Sequence, residues 1–346
     1  MNNSRFAHII NSFIFAFSIS LLNGINYYVA TSYGSDSNNG TSITTPFKTI
    51  GKAASVMSSG DKCYIRQGRY HESITIDDLD GSSGSAVVFT SYNNERVILD
   101  GTTPITSTWT QVGSSNLWRT KLSADIWQLF INWEEQIMAR WPNAKFSDDT
   151  IWDNDNYWAK GTIDDDENAY TNGTIIDDPY TNSAGTTIDL SATGFDLDET
   201  NKQAIAILNL GSFRTWSRIV TSHSGNTFNY ATVPSWKTKH HYYYLEGRKE
   251  FLDQEGEWWY DTYNSADSLY YYAANGVNPN RLDFRGKVQS YAFSITGSQY
   301  IQIKNLEFFA TTVYFSNADN CLVYGCNFMY PSCSKRMLRT VDTEPE

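Results

Sequence analysis

Two stretches near the end of the chain repeat each other, and this repeat restricts the folds that the chain can adopt. SQYIQIKNLEFF begins at Ser298 and ADNCLVYGCNFM begins at Ala318, an offset of 20 residues. Apolar residues then fall opposite one another at four positions, which are Ile301 with Cys321, Ile303 with Val323, Leu306 with Cys326 and Phe308 with Phe328. A unit this short cannot bury its inner face alone, so the repeat predicts short strands stacked as a parallel β-solenoid.

A second pair of segments indicates the same architecture nearer the start of the chain. KCYIRQGRYHESITI begins at Lys62 and AVVFTSYNNERVIL begins at Ala86, an offset of 24 residues. This alignment places three apolar pairs opposite each other, which are Cys63 with Val87, Ile65 with Phe89 and Ile74 with Ile98. We therefore expect stacked coils on both sides of the middle of the chain.

The open end of a solenoid exposes an unpaired strand edge, which natural proteins usually cover. In PFKTIGKAASVMSSGD, apolar residues recur at helical spacing, at Phe47, Ile50, Ala53, Ala54 and Met57. Gly60 and Asp61 end this pattern. We predict a short amphipathic helix that caps the first coil, joined to the preceding YYVA strand by the polar loop from Gly34 to Thr44.

Charge and aromatic content narrow the classes of partner. The formal net charge of −12 and the lack of a basic run disfavour nucleic acid. The 23 Tyr and 11 Trp residues suit a protein that stacks aromatic rings on sugars, although a β-rich fold alone also favours aromatics.

The first residues predict an extracytoplasmic address. Residues 1–24 combine one Arg with an apolar stretch from Ile9 to Leu22 that is short for a membrane span, as in a signal peptide. We expect a secreted or periplasmic mature monomer without a membrane anchor, and an uncleaved anchor remains the alternative. We expect the cysteines to be buried free thiols. A single disulfide among Cys321, Cys326 and Cys333 is the alternative.

The coil pattern fails in the middle of the chain. Residues 148–240 are rich in Asp, Asn, Thr and Gly, and they include strand-like runs such as QAIAILNLGSF and RTWSRIVTS. They predict a small antiparallel β insertion. The insertion separates the N-terminal cap and first coils, residues 25–147, from a return strand and further coils, residues 241–346. The acidic run from Asp164 to Glu167 lacks the spacing of a calcium loop, so we expect no cofactor or metal and leave calcium open.

Several motifs carry a family resemblance. YYV, NNGT, PFKTI, GD and IRQGRY follow one another from Tyr27, and LFINWEEQIMARWPNA and EFLDQEGEWWYD follow later. This series resembles right-handed parallel β-helix (pectin-lyase-like) enzymes that act on polysaccharides, closest to glycoside hydrolases of the family 141 and family 120 kind. The resemblance implies an all-β fold with an inserted β-sandwich. It also implies a hydrolase that degrades plant or algal glycans.

Glycoside hydrolysis usually needs two carboxyl groups that flank the scissile bond. The EFLDQEGEWW motif supplies the catalytic candidates Glu250, Asp253 and Glu257, although a structural turn is the competing interpretation. The candidates for substrate binding are Arg140, Trp141, His240, His241, Trp258, Lys335 and Arg336.

Two alternatives stay open. Lys335 and Arg336 together fit a β-helix lyase acting on a uronate polymer, in which a Lys abstracts a proton and an Arg neutralises the carboxylate. Because the coils still run at Met329, we also expect the chain to be a fragment. Its catalytic acids then lie beyond residue 346, and the chain itself is a non-catalytic carbohydrate-binding protein.

Overall fold

The computed structural model describes residues 24–161, 173–211, 214–233, 241–262 and 268–341. The predicted signal segment up to residue 23, the acidic run from Asp164 to Glu167 and His240 lie outside the described residues. Within the described ranges, no helix has the length and apolar character needed to cross a bilayer.

The two outer parts of the described chain are built from short parallel strands. They are β1 (Asn26–Val29), β2 (Lys62–Ile65), β3 (Gly68–Tyr70), β4 (Ile74–Asp77), β5 (Val87–Ser91) and β6 (Val97–Asp100), and later β24 (Tyr291–Thr296), β25 (Ile301–Lys304), β26 (Glu307–Phe309), β27 (Thr312–Ser316), β28 (Leu322–Tyr324) and β29 (Asn327–Met329). The strand orders are β1-β2-β5-β25-β28 in the first sheet, β3-β6-β26-β29 in the second and β4-β24-β27 in the third. From β2 onward, successive parallel strands therefore enter the three sheets in rotation.

The strand register confirms the 20-residue repeat. Ile303 lies opposite Val323 and Phe308 lies opposite Phe328. The two phenylalanine rings stack with centroids 4.5 Å apart and planes 7° apart. The repeat therefore stacks like side chain on like side chain inside the coils.

The 24-residue alignment nearer the start is wrong in register. Cys63 lies opposite Phe89 rather than Val87, two residues further along. A shift of two residues keeps every side chain on its face, so alternation alone cannot detect it. Ile74 belongs to the third sheet and lies opposite Phe293, so its neighbour comes from the far side of the middle region.

The predicted cap is confirmed as the short helix α1 (Ile50–Ala54). The side chain of Thr49 accepts a hydrogen bond from the N–H of Lys52, which caps the helix. Phe47, Ile50 and Ala53 are buried in the same core as the inner faces of the three parallel sheets. Each large apolar side chain buried there contributes about 1.5–3 kcal/mol relative to exposure.

Antiparallel strands occupy the middle of the described chain, and they extend well beyond residues 148–240. They are β7 (Thr102–Pro104), β8 (Thr110–Gln111), β9 (Leu117–Lys121), β10 (Leu129–Ile131), β11 (Glu134–Gln136), β12 (Arg140–Trp141), β13 (Ala159–Lys160), β14 (Thr174–Ile176), β15 (Tyr180–Thr181), β16 (Thr187–Ile188), β17 (Ile205–Gly211), β18 (Arg214–Ser224), β19 (Thr227–Tyr230), β20 (Tyr242–Glu246), β21 (Trp258–Asp261), β22 (Ser268–Tyr272) and β23 (Phe284–Lys287). A second short helix, α2 (Asn154–Tyr157), lies among them. Parallel and antiparallel strands can share the same alternation, so the sequence pattern does not mark where one kind gives way to the other.

These strands form several sheets. The orders are β11-β10-β23-β7, β12-β20-β17-β18-β19-β14 with β13 also on β20, β21-β22-β9-β8, and the pair β15-β16. Their shared core buries large aromatic side chains, among them Trp216, Phe228, Tyr243 and Trp258.

A buried ion cluster joins the parallel and antiparallel parts. Asp100, at the end of β6, accepts hydrogen bonds from the N–H of Thr102 at 2.9 Å and from its hydroxyl at 2.7 Å. The Nη1 of Arg69 in β3 lies 3.0 Å from the same carboxylate, and the Nη2 of Arg285 in β23 lies 3.4 Å from it. One buried carboxylate thus ties together strands that are far apart in the chain.

Candidate active site

A cleft of about 640 Å³ opens beside the hairpin β10–β11. The hairpin lines one side of the cleft, and residues 145–152 and the loop before β21 line further sides. Tyr330 and Pro331, which come directly after β29, also line the cleft. We call this space the hairpin cleft. A smaller cavity of about 250 Å³ shares Glu135, Tyr330 and Pro331 with it and reaches Trp127, Trp258 and Arg336.

Glu135 has the chemistry expected of a general acid in the hairpin cleft. It lies on β11, and Gln128 Nε2 donates a hydrogen bond to its Oε1 at 2.6 Å. Burial raises the pKa of the Glu135 carboxyl, while the bond from Gln128 and the positive charges of Lys287 and Arg336 oppose that rise. The net upward shift favours the protonated form that an acid catalyst must hold.

A second carboxylate reaches the same cleft from another element. Glu255 lies in the loop before β21, and its side chain is 55% exposed. Its Oε1 lies 3.4 Å from the Nζ of Lys145. The cleft thus contains one carboxyl whose pKa is raised by burial and one that is exposed to solvent and paired with a cation.

Exposed aromatic side chains line the cleft beside these carboxyls. Trp152 is 74% exposed and Phe146 is 37% exposed. An indole left in water at the edge of a cleft offers a flat apolar face, which suits the C–H face of a sugar ring.

Buried and partly buried cations hold the wall of the smaller cavity. Lys287 is fully buried and donates hydrogen bonds to the carbonyls of Tyr330, at 3.4 Å, and Ser332. Burial lowers the pKa of Lys287 to about 8. These bonds fix the segment after β29 against the hairpin.

Arg336 lines this cavity and Lys335 precedes Arg336 in the chain, and both have structural partners. The Nζ of Lys335 lies 4.6 Å from the centre of the Trp127 ring. The Nε of Arg336 donates to Glu246 Oε2 at 3.0 Å. The two cations therefore anchor the segment, and Arg336 also borders the cavity.

Glu257, a predicted catalytic residue, is fully buried and points away from solvent. Its carboxyl accepts hydrogen bonds from the backbone N–H groups of Arg140, Asp253 and Gln254. Burial raises its pKa to about 8, against the opposing effect of these three donors. Glu257 holds the loop before β21 in place and has no access to a sugar, so the structural interpretation of the motif applies to it.

The raised pKa of Glu257 predicts a pH-dependent stability. Between its ordinary value of 4.5 and about 8, the folded state keeps a proton that the unfolded state releases. The free energy of unfolding therefore falls as pH rises through this window, by at most about 1.4 kcal/mol per pH unit. Glu257→Gln removes the titration, and urea unfolding at several pH values measures the slope. Glu250→Gln serves as the matched control, and equal slopes in the wild type and Glu257→Gln contradict the prediction.

The other two predicted catalytic residues also lie outside the hairpin cleft. Asp253 is exposed and accepts a hydrogen bond from Asn143 Nδ2 at 2.7 Å, and desolvation raises the pKa of its carboxyl. Glu250 pairs with the guanidinium of Arg248, which also contacts Glu199 at 3.0 Å. Both carboxyls are engaged in loop contacts of the antiparallel region.

Arg140 and Trp141 have structural surroundings. Arg140 is buried, donates to the carbonyls of Pro142 at 2.9 Å and Tyr157 at 3.1 Å, and stacks 3.8 Å from the ring of Tyr244. Trp141 is half-buried and packs against aromatic rings of the antiparallel core. Neither side chain reaches the cleft, because both turn inward to join the hairpin segment to β20.

The remaining predicted binding residues divide between core and cavity. His241 is buried at the start of the return strand. Trp258 is fully buried, lines the smaller cavity, and donates from Nε1 to the carbonyl of Gln136 at 3.1 Å.

Glu135 lies within LFINWEEQIMARWPNA but was not among the predicted site residues. The available signal was the adjacent pair Glu134 and Glu135, since neighbouring strand residues face opposite sides of a sheet and one carboxyl of the pair therefore points inward. Among the described residues, no group of three His, Cys, Asp or Glu side chains is arranged to hold a metal ion. All four cysteines are free thiols, with Cys63 buried and the other three partly buried.

Comparisons with known proteins bear on the fold. No family model matches the chain. YwoF, an uncharacterized protein of Bacillus subtilis (strain 168), is 34% identical over 76 residues, which are 22% of this chain and 16% of YwoF.

A solved structure described as a glycoside hydrolase superposes with a TM-score of 0.57 at 16% identity, over 82% of this chain and 50% of that chain. A structure of XylC with xylose gives a TM-score of 0.40 at 16% identity, over 82% of this chain and 35% of that chain. The chain thus spans half the length of the glycoside hydrolase and less of the other two. At this identity the first superposition shows a shared fold, and the chain is a β-rich protein with the fold of a structure described as a glycoside hydrolase.

Proposed function

We propose that the chain folds as a right-handed parallel β-helix of the pectin-lyase-like kind and hydrolyses glycosidic bonds in a polysaccharide. The rotation of successive strands through three parallel sheets supports the β-helix. The superposition on a structure described as a glycoside hydrolase supports the proposed activity. The proposed family remains the family 141 and family 120 kind, on the motifs that the sequence carries.

The observation that carries the proposed activity is the position of Glu135. It is a carboxyl whose pKa burial raises, and it lines a large open cleft together with the exposed Trp152. In the proposed reaction Glu135 donates its proton to the leaving glycosidic oxygen. Glu255, which also lines the cleft, serves as nucleophile or as the base that activates water. Trp152 and Phe146 hold the sugar rings by stacking.

A uronate lyase is the second candidate. Lys287 favours it, because its pKa is lowered to about 8 and a lysine with a lowered pKa can act as a base. Its two hydrogen bonds to backbone carbonyls and its full burial argue against contact with a substrate. We therefore rank hydrolysis first.

The proposed setting follows from the sequence. We propose a secreted or periplasmic monomer that acts on plant or algal glycans and that does not bind nucleic acid. A non-catalytic carbohydrate-binding role is the remaining alternative, since the chain spans half of the matched hydrolase.

A digest of neutral and acidic plant and algal polysaccharides with the full chain separates these candidates. New reducing ends without ultraviolet absorbance of an unsaturated uronate indicate hydrolysis, which is the expected result. Reducing ends together with that absorbance indicate a lyase. If no substrate gives either signal, the proposed activity is wrong and a binding role replaces it.

A further inference from the structure

Four tyrosines cluster on the outer face of the first parallel sheet and its adjoining loops. Tyr28 in β1 and Tyr64 in β2 lie opposite each other in register, and their rings stack with centroids 5.7 Å apart. Tyr92 meets both rings edge-on, at 5.9 and 6.1 Å. Tyr33, in the loop after β1, joins the group through Arg66, which contacts both Tyr33 and Tyr92. We call these four residues the tyrosine platform.

The platform is an outward feature and takes no part in the solenoid core. The neighbours of Tyr64 in β2, Cys63 and Ile65, are fully buried, whereas Tyr64 lies between them on the opposite face and is half-buried. Tyr28 is likewise half-buried, and Tyr33 is 51% exposed. Four adjacent aromatic side chains on a solvated face call for an explanation other than core packing.

Arg66 holds the platform in place, and Glu95 balances the charge of Arg66 itself. Its Nε donates to both oxygens of Glu95, at 2.8 and 3.0 Å, so the two charges cancel. Its Nη1 donates to the Tyr33 hydroxyl at 2.7 Å. The guanidinium lies 5.2 Å from the Tyr92 ring centre, which links the two loop tyrosines. The rings are therefore held in place before any ligand arrives, which lowers the entropic cost of binding.

Three hydroxyls of the platform remain available. Those of Tyr28, Tyr64 and Tyr92 make no hydrogen bond to any residue in the described part of the chain. Each phenol can donate one hydrogen bond and accept others. Stacked rings thus present a row of apolar ring edges and free hydroxyls toward solvent.

We propose that the tyrosine platform binds an uncharged polysaccharide chain at a site separate from the hairpin cleft. A pyranose ring combines apolar C–H groups with a hydroxylated rim, which matches ring edges carrying hydroxyls. Glu95 neutralises Arg66 beside the rings, and the net charge of −12 disfavours an anionic polymer over the protein as a whole. The platform lies on the first strands of its sheet, whereas the cleft is next to the segment after β29, the last strand of the second sheet. This inference does not depend on the proposed hydrolysis.

Depletion of the full chain by insoluble cellulose, unsubstituted xylan and mannan tests the proposal, with immobilised polygalacturonate as the acidic probe. We expect retention on at least one uncharged polymer. The double variant Tyr28→Ala/Tyr64→Ala is expected to bind about 5- to 150-fold more weakly, since aromatic contacts contribute about 0.5–1.5 kcal/mol each and two of them are removed. Tyr28→Phe/Tyr64→Phe keeps the ring packing, so it is expected to fold normally and to lose part of the affinity.

Two controls separate this site from others. Tyr314→Ala removes a 43% exposed tyrosine from β27, a strand of the third sheet, and should leave retention unchanged. Glu135→Gln should also retain the polymer, so loss of hydrolysis and loss of platform binding are distinguishable. The proposal is overturned if no uncharged polymer retains the wild type, if polygalacturonate alone does, or if the double Ala variant binds as tightly as the wild type.

Discussion

Replacing Glu135 with glutamine is expected to lower the rate of reducing-end release by about 10²–10⁴-fold, the range typical of a lost general acid. Glutamine keeps the size of the side chain and a carbonyl oxygen that can accept the hydrogen bond from Gln128 Nε2, which lies 2.6 Å from Glu135 Oε1. It removes the proton that the leaving oxygen needs. The measurement is the initial rate on the polysaccharide that the wild type degrades fastest, with the melting temperature as a check on folding.

Glu250→Gln is the matched control for this experiment. Glu250 is another partly exposed glutamate, but it pairs with Arg248 in the antiparallel region and does not line the cleft. Its replacement should leave the rate within about twofold of the wild type, because Glu250 does not line the cleft and Arg248 keeps its ion pair with Glu199. If Glu250→Gln removes activity and Glu135→Gln does not, the assignment of the acid is wrong.

The second large effect is expected at Asp100, on stability. Asp100→Asn should lower the free energy of unfolding by about 3–5 kcal/mol, the cost of breaking a buried ion pair by removing one partner. The Asp100 side chain is fully buried and that of Arg285 is 9% exposed, so the guanidinium is left in a poorly solvated place without its counter-charge. Arg69 is 34% exposed and contributes less, because water screens it.

Urea unfolding followed by tryptophan fluorescence measures this loss. Glu307→Gln is the control, since Glu307 pairs with Arg96 in a bridge whose Arg side chain is 69% exposed. That variant should lose less than about 1 kcal/mol. An Asp100→Asn protein as stable as the wild type would show that the cluster does not hold the two parts of the fold together.

Local patterns in the sequence predicted the parts of the fold that depend on periodicity. The stack of Phe308 on Phe328 and the cap around Ile50 follow from repeats of apolar residues that sequence displays directly. The pairing of Ile74 with Phe293 does not follow from such a repeat, because it joins residues on either side of the antiparallel region. No local pattern specifies which strand becomes the neighbour once a long segment intervenes.

The candidate site was harder to predict for a related reason. Glu257 and Glu135 both lie in motifs that the sequence analysis quoted, and residue type alone favours neither. The loop conformation turns Glu257 onto three backbone N–H groups, while the hairpin turns Glu135 toward a cleft. Burial and access are properties of the assembled sheets, so the choice between two glutamates required the structure.

The pH dependence of kcat/KM for polysaccharide hydrolysis by the wild-type chain tests the central claim most directly. If Glu135 is the acid, activity is lost as pH rises through a pKa clearly above the ordinary glutamate value of about 4.3, because burial raises the pKa of this carboxyl. The predicted result is therefore an alkaline limb displaced upward from that value. An absence of reducing-end release at every pH, or an alkaline limb at the ordinary carboxyl pKa, would contradict the account.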